Sequence, residues 1–216
     1  MTGRACAVLM CAAAIATAGC TQSVTGIAVR PAPSIDEDSR SPVDVDTVLL
    51  DRAQMQAITG AGQDLTPIPG TESKAPVDLG VIPGVVPENV PQQCEWVYAE
   101  TQVFGSELEE FHKATYQNPP GGGLISQAAA GYRDSATAQR TFGELAARIQ
   151  GCGASDSGAA LVGEVSTTAD SVRTRPGICG RDYRVKSVVL VEITSCAFPD
   201  SVTDIMMTNI LANVPG

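Results

Sequence analysis

The hydrophobic positions fall into three regimes along the chain. Over residues 5–18 they run almost unbroken, through Val8, Leu9, Met10 and Ile15. Over about 21–44 they lose periodicity in a stretch rich in Thr, Ser, Pro and Asp. Beyond that they recur at spacings that identify elements. Asp46 is placed to cap a helix over 47–59, which carries Leu49, Leu50, Ala53, Met55, Ala57 and Ile58 and stops at Gly60. Between 61 and 93 stand Pro67, Pro69, Pro76, Pro83, Pro87 and Pro91, a density that excludes long helices and central strands. So long a connection is either a functional loop or a wrap across the domain surface. The sequence leaves both open.

After Cys94 the spacing predicts strands over 96–104, 110–116 and 124–132, with the Asn118-Pro119-Pro120-Gly121-Gly122-Gly123 run turning the chain. Asp134 caps a helix over 135–150, where Ala138, Phe142, Leu145 and Ile149 fall on one apolar face. Arg140, Glu144 and Arg148 lie on the other, and Gly151 is the expected stop. Further strands are predicted over 161–167 and 178–185. The 188–193 run is apolar on both faces for most of its length, as a central strand is. A last helix opens at Pro199 and Asp200, with Val202, Ile205, Met206, Ile210 and Val214 inward and Asp204 in its first turn. Strands clustered between helices predict a single α+β domain: an antiparallel sheet flanked by helices, over 46–216.

The apolar run changes the picture for residues 1–45. At fourteen residues it is too short for a helix that spans a bilayer core, which takes about 20. With Arg4 before it, it has the form of a secretory signal. It ends in Thr17-Ala18-Gly19-Cys20, which resembles a bacterial lipobox. There the cysteine thiol takes a diacylglycerol thioether and becomes the new N-terminus. The expected layout is a signal peptide over 1–19, lipidation at Cys20 and a flexible tether over 20–45. A tether of about 25 residues has an r.m.s. span of roughly 30 Å. The expected location is therefore the extracytoplasmic face of the cell membrane, attached by lipid.

The formal net charge is −10, and aromatic residues make up 4% of a chain that is 44% hydrophobic. An acidic surface repels phosphate backbones, so nucleic acid is excluded as a partner, and basic residues cannot supply the membrane attachment. The core must be aliphatic.

Four cysteines lie beyond the tether: Cys94, Cys152, Cys179 and Cys196, separated by 58, 27 and 17 residues. None form the close pairs of a structural zinc site. An even number in an exported chain points to two disulfides, for which sequence permits three pairings. If the last two strands form a hairpin, Cys179 and Cys196 lie almost opposite, at a separation a disulfide accepts. That leaves Cys94 to meet Cys152.

Candidate chemistry adds little. His112 is the only histidine and has no Asp or nucleophile at motif spacing; a solvated-face role is expected. Glu107, Glu109 and Glu110 read as an exposed acidic turn, Trp96 as core, and Gly121–Gly123 as a loop without phosphate-loop context. No catalytic residue, metal site or cofactor is expected.

The pattern from Cys94 onward resembles the extracellular sensor domain of mycobacterial PknH-type receptor kinases, a family with free-standing lipoprotein members. The residues that carry the likeness are Ile125-Ser126-Gln127-Ala128-Ala129-Ala130-Gly131-Tyr132, Ser135-Ala136-Thr137-Ala138 and the helix to Cys152. With them go Cys179-Gly180-Arg181-Asp182-Tyr183, Val188–Glu192 with Cys196, and the closing Ile210–Pro215. The resemblance implies two disulfides and a cleft for a ligand. Ile149 departs from it, where Trp is expected. No kinase domain is visible, so signalling would run through a partner. The expected function is a lipid-anchored ligand-binding or sensor module, not an enzyme, whose partner is an unknown small ligand or an envelope protein. The alternative is a structural or protein-interaction lipoprotein that docks through 61–93.

Overall fold

The computed structural model describes residues 40–216 except 82, 83, 85, 88 and 89. The apolar run, Cys20 and most of the expected tether lie outside the described residues. Packing already begins within the stretch expected as tether. Val43 and Val45 are buried, and Ser41 lies so close to Gly131 that a Cβ added there would meet its Oγ at 2.5 Å.

The first helix is shorter than the periodicity suggests. A single 3-10 turn, Val45–Thr47, is capped by Asp44 rather than Asp46. The α-helix α1, Arg52–Thr59, starts later because Asp51 and Gln54 form a reciprocal capping box. Gly60 ends it in a left-handed conformation, as expected. Val48, Leu49 and Leu50 are buried, but ahead of the helix.

The proline-rich segment is a wrap. Its strand β1, Thr66–Pro67, holds the sheet edge, where a proline costs no ladder bond. Residues 96–104 are not a strand. They belong to a 3-10 segment, Gln92–Tyr98, and a short helix α2, Glu100–Phe104. Trp96, Val103 and Phe104, all buried, fall at i, i+7 and i+8, a helical spacing that the local β-propensity of Trp, Val and Tyr masks.

Then come β2, Leu108–Asn118, and β3, Gly123–Tyr132. Helix α3, Ser135–Gly153, is capped by Asp134 and runs past Gly151. Helix α4, Asp156–Val162, takes the start of the expected 161–167 strand, leaving β4 as Glu164–Thr167. The break is Gly163, whose positive φ of 61° and contact with the Arg175 carbonyl leave no room for a Cβ. Strand β5, Ser171–Arg175, carries only one apolar residue and gave no hydrophobic signal. Strands β6, Cys179–Lys186, and β7, Val189–Cys196, form the expected hairpin, and α5, Asp200–Asn213, closes the chain.

All seven strands make one antiparallel sheet in the order β1-β2-β3-β7-β6-β5-β4, with β7 central as expected. This is the α+β class. On one face α1 and α5 cover Tyr116, Ile125, Ala129, Val191 and Ile193. In α5 the inward set is Val202, Thr203, Met206, Met207 and Ile210; Ile205 is 48% exposed, against expectation, because Met207 takes the buried side. On the other face α3 covers Ala128, Ala130, Tyr132, Tyr183 and Leu190. The disulfides Cys94–Cys152 and Cys179–Cys196 are both formed. The first ties the Gln92–Tyr98 segment to the end of α3. The second crosses β6 and β7 between directly paired residues.

Candidate functional site

Helix α3 covers only part of its face of the sheet. Beyond it, the side chains that alternation aims to the same side turn polar. Strand register sets Thr115, Ser126, Thr194 and Arg181 side by side across β2, β3, β7 and β6. One pleat over, Lys113, Ala128, Glu192 and Tyr183 form a parallel row. These two rows floor a cavity of about 150 Å³. Its wall is the 3-10 segment with Trp96 and Val97, followed by α2 with Glu100 and Val103. Tyr132 secures α2 by donating its hydroxyl to the Phe104 carbonyl at 2.7 Å.

The proline-rich wrap makes the roof. After β1, Ser73 exchanges both backbone hydrogen bonds with Lys113, at 2.9 and 3.0 Å. The chain then crosses the cavity mouth and is clasped by α2. The Val77 N–H donates to Glu100 Oε2 at 2.8 Å, and Asp78 accepts from the Thr101 N–H and hydroxyl at 3.0 and 2.7 Å. Val77 and Leu79 line the cavity from above. A second space of about 400 Å³ shares Val77, Leu79, Glu100, Lys113 and Thr115 with it, so the cavity opens under the strap.

The charges in the cavity are unevenly satisfied. Lys113 pairs with Glu100, and Thr194 donates to Glu192 at 2.7 Å. The Thr115 hydroxyl donates to Ser126 at 3.2 Å. Arg181 stacks over Trp96, 5.6 Å from the ring centroid, and donates one N–H to the Val97 carbonyl at 3.0 Å. No carboxylate comes within 4.0 Å of it among the described residues. Burial works against its charge, but its surroundings, the Glu192 carboxylate included, outweigh that and hold the guanidinium above its ordinary value. Burial, reinforced by Glu192, pushes the Tyr183 phenol well up, so it remains an O–H donor at neutral pH. Two residues that line this cavity each carry a buried polar atom with no hydrogen-bond partner among the described residues, Trp96 Nε1 and Tyr183 Oη. Their rings meet edge to face with centroids 6.3 Å apart. Tyr183 Oη lies near the Arg181 guanidinium but outside hydrogen-bonding geometry.

The residues singled out from sequence, Trp96 apart, are elsewhere. His112 is on the opposite face of β2 from the cavity, and it is not solvated. Its side chain is 15% exposed, with Nδ1 2.9 Å from Asp46 and Nε2 3.2 Å from Glu72. It joins the N-terminal segment to the strap. The glutamates do not converge: Glu107 pairs with Arg140 at 2.7 Å, and Glu110 accepts from the Val45 N–H at 3.3 Å. Trp96 is buried, as expected of core, yet it also lines the cavity. Gly121 and Gly122 make a loop, and Gly123 starts β3 against the Phe198 ring. Ile149, where the resemblance implies Trp, is fully buried on the inward side of α3 and does not line the cavity. Among the described residues no group of three or more His, Cys, Asp and Glu is placed to hold a metal ion, and no helix is long and apolar enough to cross a membrane. The resemblance implied a cleft, but sequence reasoning assigned none of the residues that line the cavity. The signals were Glu192 and Thr194 in an otherwise apolar strand, and Arg181 two residues after Cys179.

These features define a disulfide-bonded α+β domain whose sheet carries a polar, strap-covered cavity beside its core. Residues 41–209 match the PknH-like extracellular domain, and the chain belongs to that family. It is similar in fold to the crystal structure of the extracellular domain of PknH from Mycobacterium tuberculosis. The TM-score is 0.53 and the identity 14%, over 81% of this chain and 98% of that one. No curated protein sequence matches the chain.

Proposed function

We propose that this domain is an extracytoplasmic, sensor-type ligand-binding module, held at the membrane by a diacylglycerol thioether on Cys20. The observation that carries the ligand role is the cavity: Trp96 and Tyr183, two residues that line it and are each at most 2% exposed, carry a buried polar atom without a partner among the described residues. Burying such groups unpaired costs stability that a ligand or ordered water would restore. Membership of an extracellular domain family and two disulfides support a location outside the cytoplasm. The lipobox-like Thr17-Ala18-Gly19-Cys20 supports the anchor.

Thermal shift against envelope glycans, lipids and small metabolites tests the ligand role. A true ligand at 100 times its Kd stabilises by about 2.7 kcal/mol. A panel that raises Tm nowhere sinks it. For the anchor, Cys20→Ser should move the protein from the detergent phase to the aqueous phase. A protein partner is the second reading, favoured by Val77 and Leu79, 44% and 40% exposed on the strap. Crosslinking from the strap in cells would support it by capturing one defined protein.

A further inference from the structure

We propose that the ligand of this cavity carries a carboxylate on a hydroxylated body of about monosaccharide size, and that Arg181, Trp96 and Tyr183 hold the carboxylate. The inference rests on the ligand-binding reading above. The cavity has donors in surplus. Among the described residues the indole N–H of Trp96 and the hydroxyl of Tyr183 are unpaired, and Arg181 spends one of its five N–H donors on Val97. A guanidinium fork matches the two oxygens of a carboxylate in plane. A carboxylate would also give Arg181 a direct ionic partner, which it lacks among the described residues, whereas Lys113 is already paired with Glu100. A phosphate dianion fits worse, because Glu100 and Glu192 both line the space.

The rest of the floor suits hydroxyl groups. Thr115 and Thr194 already donate to Ser126 and Glu192, so their oxygens remain as acceptors while Ser126 keeps its donor, and the three stand in one row leading away from Arg181. The size is bounded as well. An engineered cavity of 150 Å³ in another protein holds benzene, so about 150 Å³ here accommodates a six-membered ring. The adjoining space under the strap takes its substituents.

Trp96 is the only tryptophan, so one indole N–H resonance reports on the site directly. The full mature domain would be titrated with lactate, gluconate and glucuronate, each beside its neutral primary amide, and with inorganic phosphate. At least one acid should shift the resonance saturably. Its amide should bind at least tenfold more weakly, about 1.4 kcal/mol. Arg181→Lys keeps a positive charge but loses the fork, and should weaken the acid by a similar factor. Should Arg181→Lys misfold, the acid-to-amide ratio on the native protein still decides. Equal binding of acid and amide, or tighter binding of phosphate, overturns the carboxylate assignment and leaves the ligand-binding reading standing. Silence of every acid up to about 10 mM, weaker than the millimolar range, also overturns it. The ligand-binding reading then falls only if the broad thermal-shift panel fails too.

Discussion

The side chain of Gln127 and the backbone of Leu50, 77 positions apart, close a two-way hydrogen bond in the buried core. Leu50 N–H donates to Gln127 Oε1 at 3.0 Å, and Gln127 Nε2 donates to the Leu50 carbonyl at 2.6 Å. The amide on β3 thus acts as a surrogate strand that pins the N-terminal segment to the sheet. Gln127→Leu keeps the volume but strands two buried backbone groups, each costing about 1–3 kcal/mol. Urea unfolding should show a loss of about 2–4 kcal/mol with an unchanged m-value. A loss under about 0.5 kcal/mol, typical of a surface change, would mean the pairing is dispensable.

The disulfides should contribute unequally, and the first should report on the cavity wall. On the chain-entropy model, closing a loop with separation 58 stabilises by about 4 kcal/mol and one with separation 17 by about 3 kcal/mol. Cys94 and Cys152 are both buried, so the double change to alanine is the clean probe. Cys94 precedes Trp96 by two residues in the cavity wall, and releasing it should red-shift the Trp96 emission as water enters. Unchanged emission after loss of Cys94–Cys152 would show that the wall holds without that crosslink.

Most of the sheet was legible because its strands obey period two and its turns carry strong breakers. Asp134, the Phe142–Leu145–Ile149 stripe and the run from Pro119 to Gly123 all act locally, so local reading found them. The start of α1 was set by a local capping box, Asp51 with Gln54, but the larger failures share one cause: decisive contacts made far away in sequence. Residues 96–104 have strand-like composition, but Cys94 is tied to Cys152 and Phe104 is held by Tyr132, which suits a helical wall. Strand β5 is identified by its partners rather than by its own residues. The cavity was the least legible part. Thr115, Ser126, Thr194 and Arg181 come from four strands, and only register makes them neighbours.

Asp182 is fully buried between two arginines. Arg173 reaches its Oδ2 at 2.7 Å through Nε and 2.6 Å through Nη2, and Arg184 reaches Oδ1 at 3.4 Å. Arg173 also pairs with Asp204, joining β5 and β6 to α5. Burial opposes the Arg173 charge, but Asp182 and Asp204 outweigh it and hold the guanidinium above its ordinary value. Asp182→Ala leaves two partly buried cations without their shared partner. Breaking a buried pair this way costs about 3–5 kcal/mol, and the partial exposure of both arginines places the expected loss near the lower end. Asp182→Asn should cost less. Equal losses for the two variants would mean that shape, not charge, matters at this position.

Asp46 sets part of the acid limb of stability. Its carboxylate accepts from Lys74 on the strap and lies 2.9 Å from His112 Nδ1 on β2. The hydrogen bond from Lys74 is the main cause that holds its carboxyl below the ordinary aspartate value of 3.8. Partial burial pulls the other way, and the charges of Lys74 and His112 add to the lowering. Near that value the unfolded chain therefore binds more protons at this group than the folded one, so stability rises with pH there. The contribution is fully present above 3.8 and is lost as pH falls through the lower, folded value. With the Asp46 side chain 54% exposed, solvent and salt screen the pair, and its worth is about 1 kcal/mol or less. In urea titrations from pH 7 to pH 3, Asp46→Asn should start below the native protein and converge with it in acid. Raising the salt at pH 7 should narrow the same gap. Curves that stay parallel down to pH 3 would show that the strap clasp does not depend on the ionised carboxylate.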